Sequence, residues 1–184
     1  FVPGHPIAGT EKSGVEASFA TLFKNQRVIL TPLAETDPHA VAQVRAMWQS
    51  AGAVVSEMSA KQHDEILAVT SHLPHVLAYA LMDNLARLDA GNGGEILKNA
   101  AGGLRDFTRI AASDVDMWRD VFLTNREAVL EMLGRFTEDL TALQRAIRSG
   151  DGDTLFDLFT RTRAIRRAVI LRDQHCRFPG GCFL

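Results

Sequence analysis

From residue 75 to residue 178 the chain contains no proline. Proline removes a backbone donor and clashes with the turn before it, so a stretch this long without one leaves helices free to run. Strand-like alternation also stops after Met58. Ser59 is placed to cap a long helix over about residues 60–88, which Pro74 should kink rather than end. The cluster Gly91-Asn92-Gly93-Gly94 reads as a loop, and shorter helices follow over about 95–101 and 104–112. Ser113 or Asp114 then caps another long helix, to about residue 148. Within it Val129, Leu133, Phe136, Leu140, Leu143 and Ile147 recur at alternating steps of four and three, the period of a helix packed lengthwise on another helix. A turn over 149–152 precedes a last helix over about 153–171.

The first 58 residues have a different texture. Arg27-Val28-Ile29-Leu30-Thr31, stopped by Pro32, reads as a short β-branched strand. Asp37-Pro38 supplies an N-cap followed by proline at the first helical position, and the helix should run to about residue 50, with Gly52 ending it. Residues 53–58 form a second strand. Strand, helix and strand with short joins predict a βαβ unit, the trailing edge of a larger sheet. The fold class is therefore a mixed α/β sheet remnant followed by an all-helical domain, mainly α. The boundaries fall at 1–58, 59–172 and a tail at 173–184, expected to be disordered.

Composition narrows the function classes. With 46 % hydrophobic and 23 % charged residues and a net charge of −2, the 184-residue chain is not a general nucleic-acid or membrane-surface binder. No apolar run reaches the roughly 18–20 residues that span a bilayer. Two cysteines, Cys176 and Cys182, make no disulfide framework, so a cytoplasmic setting is expected. The chain opens on Phe1 rather than Met, which predicts a fragment or a processed or trimmed form.

Three segments could carry chemistry. In the first, His5 sits between Pro3 and Pro6, followed by Thr10, Glu11 and Lys12, in what reads as a stiff loop preceding any regular element. Such an imidazole is either a solvated side chain or a general base, since its ordinary pKa lies near neutrality. In the second, Ser71-His72-Leu73-Pro74-His75 sits inside the long helix. His72 and His75 are three residues apart and share a helical face. They are either hydrogen-bonded between helices or ligands lacking a third partner, with His63 and Asp64 two turns away; no metal is expected. The third runs from Gly102 to Arg119 and carries Arg105, Asp106 and Arg109, either a solvated helix laced by ion pairs or an anion site. His175, Cys176 and Cys182 in the tail lack the ligands of a metal knuckle.

These segments carry a resemblance. His5-Pro6-Ile7-Ala8-Gly9-Thr10-Glu11-Lys12-Ser13-Gly14 closely resembles the His-Pro-x-Ala-Gly-x-Glu-x-Ser-Gly signature of the prephenate and arogenate (cyclohexadienyl) dehydrogenases. Ser71 to His75 is similar to a segment lining that family's substrate site. Gly103-x-x-Asp106-x-Thr108-Arg109-Ile110-Ala111, followed by Asp114-x-x-Met117-Trp118, resembles a third family motif in the same order. The resemblance implies oxidative decarboxylation of prephenate or arogenate with hydride transfer to NAD or NADP. It implies that His5 bonds the ring hydroxyl and helps remove its proton, and that Arg109 grips a substrate carboxylate. Ser71, His72 and His75 would line the pocket, Thr10 and Glu11 would sit at its mouth, and Trp118 would wall it, reaching in from a second subunit. It also implies a homodimer formed through the helical domain.

The family begins with a Rossmann-type half whose Gly-x-Gly-x-x-Gly turn cradles the pyrophosphate, together with an upstream serine that touches substrate. Neither stands in these residues, because Gly91-Asn92-Gly93-Gly94 lies between helices. The expectation is that residues 1–58 are the end of that half and that the chain alone neither binds the cofactor tightly nor turns over. The rival from another class is a non-catalytic helical dimerisation or ligand-sensing module that binds an aromatic acid such as tyrosine. Other hydroxyacid or imine dehydrogenases share the architecture but not the His-Pro-x-Ala-Gly segment.

Overall fold

The computed structural model describes residues 1–9 and 14–176. The chain divides into two compact units, Phe1–Leu133 and Gly134–Leu184. The first unit opens with a three-stranded sheet in the order β1-β2-β3. Strand β1 (Gly4–Ile7) runs antiparallel to β2 (Arg27–Leu30), with His5 opposite Ile29, and β3 (Val54–Glu57) runs parallel to β2. The segment read from sequence as a loop around His5 is thus an edge strand. Pro6 hides a strand from sequence reading, yet an edge position tolerates it, because the missing N–H faces no neighbour. Gly4 permits the close approach: a Cβ there would meet Leu30 Cδ2 at 3.0 Å.

The central strand explains the sheet's stability. Val28, Ile29 and Leu30 are all buried, which marks a strand covered on both faces. Val28, Leu30 and Ala53 form a core packed against Phe23, Val41, Val44, Trp48 and Val55. Phe23 meets Trp48 edge-on with centroids 5.0 Å apart. Val41, Val44 and Trp48 come from helix α1 (Pro38–Ser50), whose first turn is capped by Asp37 accepting from the His39 N–H at 2.9 Å. Gly52 follows at φ +83, a left-handed position that suits glycine, and its carbonyl accepts from the Asn25 N–H at 2.8 Å. The βαβ unit and the end of its helix lie where the sequence places them.

Ser59 caps α2 (Ala60–Leu67), accepting from the Gln62 N–H at 3.2 Å. A π-helical turn, Ala68–His72, follows, and α3 (Leu73–Ala90) continues from it. The expected single helix with a kink at Pro74 is therefore a helix with a change of register. Pro74 cannot donate to the carbonyl four residues back, and the wider turn answers this by bonding the Leu73 N–H to the Ala68 carbonyl, five residues back. Short helices α4 (Glu95–Lys98) and α5 (Gly102–Thr108) lead to a 3-10 turn, Arg109–Ala112, packed against α3. Helix α6 (Val115–Thr124) is capped by Asp114. The long helix expected from 113 to 148 is broken at Asn125, and α7 (Arg126–Ser149) resumes beyond it.

The second unit holds the later part of α7 and helix α8 (Gly152–Cys176), joined through Gly150 at φ +67. Asp151 caps α8 by accepting from the Thr154 N–H at 3.0 Å. Leu140, Ile147, Phe156, Phe159 and Ile165 leave this unit's apolar surface in solvent. Residues 177–184, most of the tail, lie outside the described residues. Among the described residues no helix is long and apolar enough to cross a membrane.

The buried centre of β2 sets a stability test. Leu30→Ala should cost about 2–5 kcal/mol, whereas Met47→Ala on the exposed side of α1 should stay within about 0.5 kcal/mol. Urea unfolding followed by tryptophan fluorescence measures both; equal effects would contradict the assigned core.

Candidate active site

The helix from Ala60 to Ala90 carries three histidines, and the π turn decides how they face. A regular α-helix turns roughly 100° per residue, so His63 and His72 would stand about 180° apart, and His63 and His75 about 120° apart. The π turn takes up one extra residue and sets everything after it back by about 100°. His75 then falls within about 20° of His63, and His72 within about 80°. One side of the combined helix therefore gathers imidazoles that a regular helix would scatter.

Strand β1 brings the fourth imidazole to that side. His5 Nδ1 lies 2.8 Å from His63 Nε2, with ring centroids 5.1 Å apart. His63 Nδ1 lies 2.8 Å from Asp64 Oδ1. His72 is buried and meets Asn125 Nδ2 at 3.1 Å. The same Asn125 amide donates to the Asp64 carbonyl at 2.9 Å, so it bridges the end of α6 to α2 and to the π turn. His75 donates from Nδ1 to the Ser71 carbonyl at 2.8 Å. The ring of Trp118 stacks on His75 of its own chain, with centroids 3.5 Å apart and planes 19° from parallel, and stands edge-on to His72 at 6.0 Å. Trp118 Nε1 is buried and has no hydrogen-bond partner among the described residues.

Electrostatics favours the uncharged form of His5, His72 and His75. Burial pushes the His5 imidazole below its ordinary pKa, and neighbouring His63 pushes the same way. His72 is lowered by burial, then by His5, His63 and His75, against an opposing pull from Asp64. His75 is lowered by burial, partly restored by its bond to the Ser71 carbonyl, and lowered again by the Arg109 guanidinium. The site thus offers uncharged imidazoles as proton acceptors beside a permanent cation able to hold a carboxylate.

Of the residues expected from sequence, His5 lies on β1, Ser71 and His72 in the π turn, His75 on α3, Arg109 at the start of the 3-10 turn and Trp118 on α6. Contact or charge coupling links His5, Ser71, His72, His75, Arg109 and Trp118 into one cluster. Thr10 and Glu11 lie outside the described residues. Sequence reading weighed His63 and Asp64 only as metal ligands and passed over Asn125. Asn125 left one trace, a weak helix former in the middle of a long helical pattern. Among the described residues no three His, Cys, Asp or Glu side chains are grouped to hold a metal ion. A separate open cleft of about 420 Å³, lined by Pro32, Leu33, Thr36, Val41, Arg45 and Glu57, has its charges spent on the Arg45–Glu57 pair.

Comparison with known proteins bears on this arrangement. Residues 1–57 match the family described as prephenate dehydrogenase, nucleotide-binding domain, and residues 59–161 match prephenate dehydrogenase, dimerization domain. A cyclohexadienyl dehydrogenase of Zymomonas mobilis is 44 % identical over 168 residues, covering 91 % of this chain and 57 % of that protein. A prephenate dehydrogenase of Bacillus subtilis is 37 % identical over 180 residues, covering 95 % of this chain and 47 % of that protein. The chain therefore spans about half the length of these relatives. The crystal structure of prephenate dehydrogenase from Aquifex aeolicus in complex with hydroxyphenyl propionate and NAD+ superposes with a TM-score of 0.87 at 41 % identity, over 92 % of this chain and 59 % of that one. Synechocystis arogenate dehydrogenase superposes with a TM-score of 0.80 at 28 % identity, over 92 % of this chain and 61 % of that one. With a helical-domain match over more than half its length, and the resembling motifs drawn into one cluster, the chain belongs to the prephenate dehydrogenase family.

Proposed function

We propose that this chain is part of a cytoplasmic prephenate or arogenate dehydrogenase and supplies most of its substrate site. The observation that carries the proposal is the convergence of His5, His72 and His75, all held below their ordinary pKa, on a site where Arg109 bears on His75. The substrate suited to it has a ring hydroxyl for an uncharged imidazole and a carboxylate for the guanidinium. Residues 1–58 belong in this reading to a nucleotide-binding domain, and 59–172 to a helical substrate-binding and dimerisation domain. The exposed Leu140, Ile147, Phe156, Phe159 and Ile165 supply apolar surface for a homodimer.

The chemistry can be written with its atoms balanced. His5 accepts the proton of the ring hydroxyl as the carbon bearing it loses hydride. The C–CO₂ bond then breaks, carbon dioxide leaves, and its electron pair completes the aromatic ring. The proton returns from His5 to the phenolic oxygen, giving 4-hydroxyphenylpyruvate from prephenate. NAD or NADP, when bound, is the hydride acceptor. The strand-to-helix joins among the described residues, at 31–37 and 58–59, carry no glycine, so these residues do not fit a pyrophosphate cradle. Ser71 acts through its carbonyl by turning the His75 ring, and Trp118 fixes that ring by stacking. Substrate binding by Thr10 and Glu11 is part of the same proposal.

Two measurements test this. Calorimetric titration of the chain with hydroxyphenyl propionate should give binding that Arg109→Ala weakens about tenfold or more, the worth of roughly 1.5–3 kcal/mol for a charged hydrogen bond. Tyrosine should compete for the same site; undiminished binding by the variant contradicts the role of Arg109. The second is a pH profile. His5 has its folded pKa below 6.5, so the base stays uncharged through neutrality and is lost only as acid protonates it. In the complete dehydrogenase, kcat/KM should be level near pH 7 with an acid limb below pH 6.5, a limb that His5→Asn removes together with most of the activity. An acid limb centred above 6.5 would exclude His5 as that base.

A further inference from the structure

The hydrogen bonds behind His5 form a chain whose direction is fixed at one end. A carboxylate oxygen only accepts, so the Nδ1 of His63, 2.8 Å from Asp64 Oδ1, carries the hydrogen. An uncharged imidazole with its hydrogen on Nδ1 has a bare Nε2. That nitrogen lies 2.8 Å from His5 Nδ1 and must accept, so His5 donates from Nδ1. The His5 hydrogen is then spent on the protein, and its Nε2 lone pair is left as the only acceptor on the ring. Free histidine favours the other tautomer, with the hydrogen on Nε2. Left alone, His5 would offer a substrate hydroxyl a donor where an acceptor is needed.

We propose that His63 and Asp64 are positioning residues, which lock His5 in the Nδ1–H tautomer and so aim its Nε2 lone pair at the substrate hydroxyl. This rests on the role given to His5 above. The side chain of His63 is 18 % exposed and that of Asp64 is 52 % exposed. Toward His5, Asp64 works as a directional acceptor, since it fixes the hydrogen of His63 on Nδ1. Asn125 steadies the same corner by donating to the Asp64 carbonyl. Its other contact assigns His72 the opposite tautomer: the amide donates to His72 Nδ1, leaving the His72 hydrogen on Nε2. The groups bearing on His5 are thus His63 and Asp64 from α2 and His72 from the π turn, and the hydrogens of both imidazoles are placed by a neighbour.

Nitrogen-15 NMR of this chain, labelled at histidine and held slightly above neutral pH, tests the lock directly. His5 should show a protonated-type Nδ1 and a bare-type Nε2. His63→Leu should shift His5 toward the Nε2–H form, and His63→Gln, whose side-chain oxygen can accept near the place of Nε2, should retain Nδ1–H. In the complete dehydrogenase His63→Leu should lower kcat by about tenfold or more with KM for substrate nearly unchanged, and His63→Gln should recover most of it. A wild-type His5 with its hydrogen on Nε2 overturns the proposal without any variant, as does a tautomer indifferent to His63→Leu. A correct tautomer in a complete protein without dehydrogenase activity would sink the functional assignment instead and leave the lock standing.

Discussion

One backbone irregularity governs the site: the π turn from Ala68 to His72. Its origin is local. Pro74 lacks the N–H that a regular helix needs, and the chain widens by one residue rather than breaking. Its consequence is long-range, because a shift of about 100° swings α3 and its side chains onto the side that faces β1. The Ser71 carbonyl accepts from the His75 imidazole, so the same turn that sets the direction of that ring also bonds it.

The second support is the sheet edge. His5 could not be held at hydrogen-bond distance from α2 by a free loop without a large entropy cost. Pairing Gly4–Ile7 with the buried strand Arg27–Leu30 removes that freedom in advance. The strand in turn is anchored by the core of Val28, Leu30 and Ala53 under α1, so the position of the imidazole traces back to apolar packing. Catalytic geometry needs this kind of rigidity, since small misplacements of a reacting group are expensive in rate.

Between these two supports the electrostatics follows from crowding. Four imidazoles share one region with Arg109, and each charge taken up would repel the next. Burial adds to the repulsion and favours the uncharged form of His5, His72 and His75, and the proton positions follow from a carboxylate, a carbonyl, an amide and a neighbouring imidazole. The cationic pole is supplied by a guanidinium, which does not lose its proton in proteins.

Much of this was legible without coordinates. Asp37-Pro38, Ser59 and Gly52 mark helix ends through local backbone chemistry, and the strand at Val28–Leu30 declares itself as a short apolar, β-branched run stopped by Pro32. The three motifs name His5, His75 and Arg109 because residue type and order survive in a linear string. The β character of Gly4–Ile7 was hidden, since Pro6 argues against a strand until an edge is known to exist. The break at Asn125 was hidden as well, because its reason is a pair of hydrogen bonds to residues more than fifty positions away. Caps, periodicity and residue type along the chain fix most of the elements and the side chains available for chemistry. Helical phase and strand pairing set which side chains face one another, and these put His63, Asp64 and Asn125 behind them.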